Sequence, residues 1–317
     1  MQSVITILTI SVAMKQTVRS VPKVLSRNFH EFLGKNKGVI TAQRPKIPHF
    51  RGCRCAFCTS IPKENGGLVF PQGIGGGNRL DPTMVQSAAL REDPDIAQLL
   101  ENNVSWVKKA HANDPSFFSR IGGPQKPTYM YIGCSDSRVP ANQILGLGPG
   151  EVFVHRNVGN QVVGNDLNVL SGIEFAVDVL DIKHIIVTGH YGCGACYAAT
   201  QSGRDLGLLE NWLRSLRDIY RNHHTTLDSI QDPEERHRKF VEVSVVEQCL
   251  NLYKTGIVQK KRKETHQRAK DGEVEGGRGA YPRIHAMVFD PAVGLLKKLP
   301  IDFKTSVQQF RHIYDLY

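Results

Sequence analysis

In MYIGCSDSRV, residues 130–139, a thiol, a carboxylate and a guanidinium follow one another at two-residue intervals, as Cys134, Asp136 and Arg138. A second stretch, IIVTGHYGC (185–193), ends on His190 and Cys193. Thiolate sulfur and imidazole nitrogen are borderline-soft donors that suit Zn2+, and three protein donors leave a tetrahedral ion one open position for chemistry. Cys196, in CGAC (193–196), offers a fourth sulfur. With it the site becomes closed and structural, or the C-x-x-C pair becomes a redox dithiol. Its place within the helix that follows the motif favours packing of a small buried thiol over ligation. Asp136 and Arg138 share the parity of Cys134 on an extended segment, so the three face one site. A bidentate Arg138 keeps the Asp136 carboxylate ionised, placed to accept a hydrogen bond from zinc-bound water. Alternatively Asp136 swings into the open position and switches the site off, or the two form an ordinary surface ion pair.

These residues need elements to carry them. TYMYIG (128–133), EVFVH (151–155), HIIVTG (184–189) and IHAMVF (284–289) are short apolar, β-rich runs and read as strands. DLNVLSGIEFAVDVL (166–180), opening on an Asp166 cap, and EVSVVEQCLNLYKT (242–255) read as helices. So does the stretch from Asp95, where Ile96, Leu99, Leu100 and Val107 fall near helical spacing. Strands apolar throughout and separated by helices give an α/β fold, a mostly parallel β-sheet flanked by helices. Ligands gather at the carboxyl ends of strands in such sheets. Cys134 and His190 fall at two such ends, and neighbouring parallel strands bring them together. Gly133, Gly189, Gly192 and Gly194 let the backbone turn closely there. The polar run from Gln259 to Tyr281 reads as an exposed loop, too charged and Gly-rich to pack.

The chain has 317 residues, 40% of them hydrophobic, and a net charge of +10. Residues 1–60 hold ten Lys/Arg against Glu31 alone. That leaves residues 61–317 at about +1, so the body has no charge signal for nucleic acid. Seven cysteines, an odd number scattered over a long chain, argue against a secreted disulfide framework. No apolar run is long enough to span a membrane. Residues 1–60 form a basic, hydroxyl-containing, acid-poor leader with the composition of a transit segment, which makes the expected location mitochondrial. A chloroplast or cytoplasmic location is the alternative. Residues 61–94 read as a Gly/Pro-rich linker and residues 95–317 as the catalytic domain. Cys53, Cys55 and Cys58, in CRCAFC between leader and linker, read as free thiols of an unstructured segment.

The segment CSDSRVPANQILGLGPGEVFVHRNVGNQV, followed by IEFAVDVLDIKHIIVTGHYGCGA, resembles the β-class carbonic anhydrases, in particular their bacterial-type branch. The similarity runs from about Asp95 to Tyr317. It implies one Zn2+ per subunit on Cys134, His190 and Cys193, with Asp136 and Arg138 as a catalytic dyad. It implies further that Gln125 donates a hydrogen bond to substrate oxygen. Phe153, Val158 and Phe175 match the family's apolar pocket, with Gly194 on the substrate side, although packing alone would account for the three. The implied reaction is attack of zinc-bound hydroxide on CO2 to give bicarbonate and a proton, in homodimers or dimers of dimers. Relatives of the same fold act on CS2 or COS, which stands as an alternative. A non-enzymatic zinc or thiol protein with Cys196 as fourth ligand is another. Tyr131 and Leu250 stand where members regulated by bicarbonate carry tryptophan and tyrosine, so the resemblance does not imply that second site. The H-x-E and P-C-x-x-C pair of zinc nucleobase deaminases is absent.

Overall fold

The computed structural model describes residues 93–203, 205–273, 279–310 and 312–314. The leader, nearly all of the linker, and Cys53, Cys55 and Cys58 lie outside the described residues. The first helix among the described residues, α1 (Pro94–Asn113), starts on an Asp93 cap that accepts from the Asp95 amide, with Pro94 in the first turn. The short α2 (Phe117–Ile121) follows, and Phe117 and Phe118 meet Trp106 of α1 edge-on. Then come β1 (Tyr129–Cys134), α3 (Ala141–Leu145), β2 (Val152–Asn157) and α4 (Leu167–Glu174). The chain of α4 continues into one π-helical turn, Phe175–Val179, and reaches β3 (His184–His190). Among the described residues, five helices separate β3 from the next strand: α5 (Gly194–Ala199), α6 (Leu208–Asn222), α7 (His224–Asp228), α8 (Pro233–Tyr253) and α9 (Gly256–Lys270). The last elements are β4 (Arg283–Asp290), β5 (Leu295–Leu299) and α10 (Phe303–Phe310).

Among the described residues the strands form one sheet in the order β2-β1-β3-β4-β5, parallel except for β5. Both faces of β1 and β3 are covered, so Met130, Tyr131, Ile132, Ile185 and Val187 are fully buried. That burial explains why these strands are apolar at consecutive positions. Along α8, Phe240, Val241, Ser244, Val245, Gln248, Cys249 and Leu252 are buried, a stripe at helical spacing. Gly189 lets α8 approach β3, since a Cβ there would meet Val245 Cγ2 at 2.5 Å.

The chain leaves β1 for β2 on one side and crosses back to β3 on the other, so the strand order reverses between β1 and β3. Such a switch point is where open α/β sheets bind ligands. Register pairs Gly133 with Thr188, which sets the carboxyl ends of β1 and β3 level. The expected strands and the cap at Asp166, which accepts from the Asn168 amide at 2.9 Å, are present.

The expectation of an exposed loop over 259–281 fails over its first half, where α9 occupies Gly256–Lys270. Thr255 caps it, and Val258 and Thr265 are its buried contacts. Lys, Arg, Glu and Gln are good helix formers, and two buried side chains suffice to seat a helix whose other faces are solvated. Arg262 adds a tether, donating to the carbonyls of Ala280 and Pro282. Among the described residues no helix is long and apolar enough to cross a membrane.

Candidate metal centre

Cys134 is the last residue of β1 and His190 the last of β3. Cys193 lies three residues on, immediately before α5. Gly192, with φ +66°, reverses the chain between them in a conformation that glycine adopts without a steric cost. One donor atom each from Cys134, His190 and Cys193 lies within 4.8 Å of the others, and all three residues are buried. Cys196 sits inside α5, buried at 2% exposure, and is not part of this cluster.

The donor chemistry suits a metal ion. The His190 Nδ1 faces the Tyr191 carbonyl at 3.1 Å. A carbonyl only accepts, so Nδ1 carries the proton and Nε2 presents its lone pair. That Nε2 is buried with no hydrogen-bond partner, a costly state unless something binds it. A hydrogen bond with the Cys193 thiol, together with burial, pushes Cys134 up to about 12. Cys134 acts on Cys193 in the opposite sense, but Cys196 and burial push Cys193 up to about 12 as well. Loading a cation therefore displaces thiol protons.

Asp136 and Arg138 reach this centre through a turn, not along the continued strand that their spacing suggests. The Asp136 Oδ1 accepts from the Arg138 amide at 2.9 Å, closing the turn. The guanidinium then grips both carboxylate oxygens, Nε to Oδ1 at 3.0 Å and Nη2 to Oδ2 at 2.7 Å. This fork is the main reason why the Asp136 carboxyl lies well below the usual carboxylate range. Arg138 also donates to the Gly192 carbonyl at 3.1 Å, linking the dyad to the loop between His190 and Cys193. Asp136 Oδ2 lies 3.7 Å from His190 Nε2, on the side of the donor cluster.

Of the remaining candidates, Phe153 on β2 and Phe175 at the π-helical turn stack at 5.7 Å, making one apolar wall. Val158 is exposed, and its carbonyl accepts from Trp212 Nε1 at 2.7 Å. Gly194 opens α5 beside Cys193. Gln125 is exposed in the irregular chain before β1. Sequence reasoning missed Arg156, which donates to the Cys134 carbonyl at 2.9 Å and the Asp136 carbonyl at 2.6 Å. It clamps the loop that bears the ligand and the dyad. Its partners are main-chain atoms, which leave no mark in sequence.

A family profile described as "Carbonic anhydrase" matches residues 129–269. A carbonic anhydrase of Emericella nidulans is 44% identical over 219 residues, which cover 69% of this chain and 90% of that one. The chain belongs to the β-class carbonic anhydrases. Beta carbonic anhydrase 6, mitochondrial, of Arabidopsis thaliana is 32% identical, with 64% of this chain and 80% of that one covered. A crystal structure from work on two tetrameric beta-carbonic anhydrases of Sordaria macrospora is 33% identical, with a TM-score of 0.58. It covers 66% of this chain and 98% of that one. As a β-class carbonic anhydrase this chain is a lyase for the reversible hydration of CO2, and its Cys-His-Cys cluster is a zinc-type metal site.

Proposed function

We propose that CO2 hydration takes place where Cys134, His190 and Cys193 hold one zinc ion per subunit, with Asp136 and Arg138 as the dyad beside it. The observation that carries this assignment is the unpartnered His190 Nε2 between two buried thiols and 3.7 Å from Asp136 Oδ2. When bound, zinc supplies Lewis acidity that brings the ionisation of water toward neutral pH. Arg138 keeps Asp136 ionised, so the carboxylate only accepts hydrogen bonds. Both Oδ1 contacts are committed to Arg138, whereas Oδ2 takes one bond from Nη2 and retains an accepting lone pair. Asp136 thereby orients a hydroxyl donor at the metal side and leaves the attacking lone pair directed at substrate. Phe153 and Phe175, with Val158 and Gly194, form the apolar side that CO2, a molecule without a dipole, prefers to a charged one. Gln125 donates to a substrate oxygen.

Residues 95–317 act as the catalytic domain behind a 1–60 leader and a 61–94 linker. The leader directs the chain to mitochondria, a reading supported by its basic, acid-poor composition and by the name of the Arabidopsis relative. The bacterial-type branch is our reading of the motifs; the relatives named above are fungal and plant proteins. The assembly is a homodimer or a dimer of dimers, in keeping with the tetrameric Sordaria proteins.

Stopped-flow CO2 hydration with zinc analysis tests the site on the full chain. Asp136→Asn should retain zinc and lose on the order of 100-fold or more in kcat/KM, while Cys196→Ser should retain both. If Cys196→Ser loses the metal and Asp136→Asn is silent, the centre is a closed structural site. Measuring CS2 hydrolysis alongside separates the related chemistry.

A further inference from the structure

Helices α5, α6 and α8, with the loop after α5, line a half-open cavity of about 460 Å³. Its charged lining is Arg217, Arg221 and Arg236, accompanied by His237, and no carboxylate lines it. The acids nearby are each occupied. Glu210 pairs with Arg217 at 2.9 Å, Asp218 with Arg221 at 3.2 Å, and Asp228 accepts from Tyr220 Oη at 2.6 Å. Burial, and then His190 of the metal cluster acting through space, lower the His237 pKa, and Glu234 acts in the opposite sense.

These partners leave the guanidinium groups incompletely satisfied. Arg236 has no carboxylate within ion-pair distance among the described residues and donates to the main-chain carbonyls of Ile230 and Gln231. The Arg217 Nε is buried without an acceptor. The Arg221 pair is exposed on both sides and holds its guanidinium weakly. Three guanidinium groups around one cavity call for oxyanions, whose geometry matches their forked N–H donors. The cavity is in the size range of small-molecule sites and its walls include the rings of Tyr197, Tyr220 and Phe240. A carbon skeleton therefore fits beside the charges.

We propose that this cavity binds a small organic anion with two or more charges, carried on phosphate or carboxylate groups. None of its lining residues belongs to the metal cluster or the dyad. Its route to that centre is α5, which begins directly after Cys193 and carries Tyr197, whose ring meets His237 edge-on at 6.2 Å.

Calorimetric titration of the zinc-loaded full chain at constant ionic strength tests this, with glycerol 3-phosphate, inorganic phosphate and succinate as probes. We expect one site per subunit for at least one probe, and the preferred probe identifies phosphate or carboxylate as the recognised group. Arg236→Gln and Arg221→Gln should each weaken that probe about tenfold or more, leaving ligand-free CO2 hydration unchanged. Arg221→Gln sits at an exposed position and keeps the test valid if the Arg236 variant fails to fold. Lys298→Gln, at an exposed position on β5, should change nothing. No binding up to about 10 mM of any probe overturns the proposal. So does binding that survives both arginine substitutions, which would belong to the metal centre, or a loss that Lys298→Gln reproduces, which would be diffuse charge.

Discussion

One carbonyl determines how His190 is used. Because Tyr191 O takes the Nδ1 proton, Nε2 can only accept or ligate, and the ring cannot turn over without losing that bond. Arg138 plays a comparable part for Asp136, and its planar fork matters more than its charge. Lysine can reach one oxygen but not both. Arg138→Lys should therefore keep the metal while lowering kcat/KM about tenfold. Unchanged kinetics would show that charge alone is needed. Gly133 is constrained from the other side. A Cβ there would lie 2.1 Å from Tyr131 Cε1, and Tyr131 is fully buried. Gly133→Ala should cost about 1–3 kcal/mol in denaturant unfolding and weaken zinc retention at the adjoining Cys134. The three clustered donors were legible as sulfur and imidazole at predicted strand ends, though spacing alone left Cys196 open as a fourth and the resemblance to the β-class enzymes singled out the set. The route by which Asp136 and Arg138 arrive, and the clamp from Arg156, were not, since both depend on main-chain hydrogen bonds.

At the scale of elements, periodicity located the strands that are covered on both faces, and the Asp166 cap located α4. It did not locate β5, whose LLKKL run is half exposed, nor α9, whose charged surface hides two buried contacts. The π-helical turn after α4 was also invisible, although it carries Phe175 to the wall shared with Phe153. The sheet also carries a pH-sensitive pair. His184 on β3 pairs in register with Arg283 of β4, and His285 lies two residues further along β4, with His184 Nδ1 3.0 Å from His285 Nε2. Burial lowers both below the ordinary histidine range, with Arg283 adding to it for His184, and His184, Lys298 and Arg283 for His285. The unfolded chain therefore takes up protons first as pH falls. Stability is fully present above the ordinary histidine pKa of about 6.5 and declines as pH drops below it. Thermal unfolding followed from pH 7.5 down to 5.5 should show this decline, and His285→Asn should flatten it. An equally steep decline in that variant would assign the effect to other groups.

At the scale of the whole molecule, α1 raises a question that one chain does not answer. It runs for twenty residues without a buried one. Ile96 is 46% exposed, Leu99 60% and Trp106 44%, although helices of this kind draw most of their stability from a packed apolar face. The core stretches from Met130 to Leu299 and does not include α1. A second copy of the chain is the occupant that the proposed assembly supplies for this face. By symmetry, a substitution in one subunit acts a second time through the identical position of its partner. Burial of an Ile or Leu side chain is worth about 1.5–3 kcal/mol, so two substitutions counted over two subunits are large against ordinary association energies. Ile96→Glu with Leu99→Glu should shift sedimentation velocity from the assembled species toward the monomer at micromolar concentration. Zinc content of the monomer should persist, because Cys134, His190 and Cys193 all come from one chain. If the double variant sediments like the parent while α1 stays protected from hydrogen exchange, the helix is held by something other than a second copy.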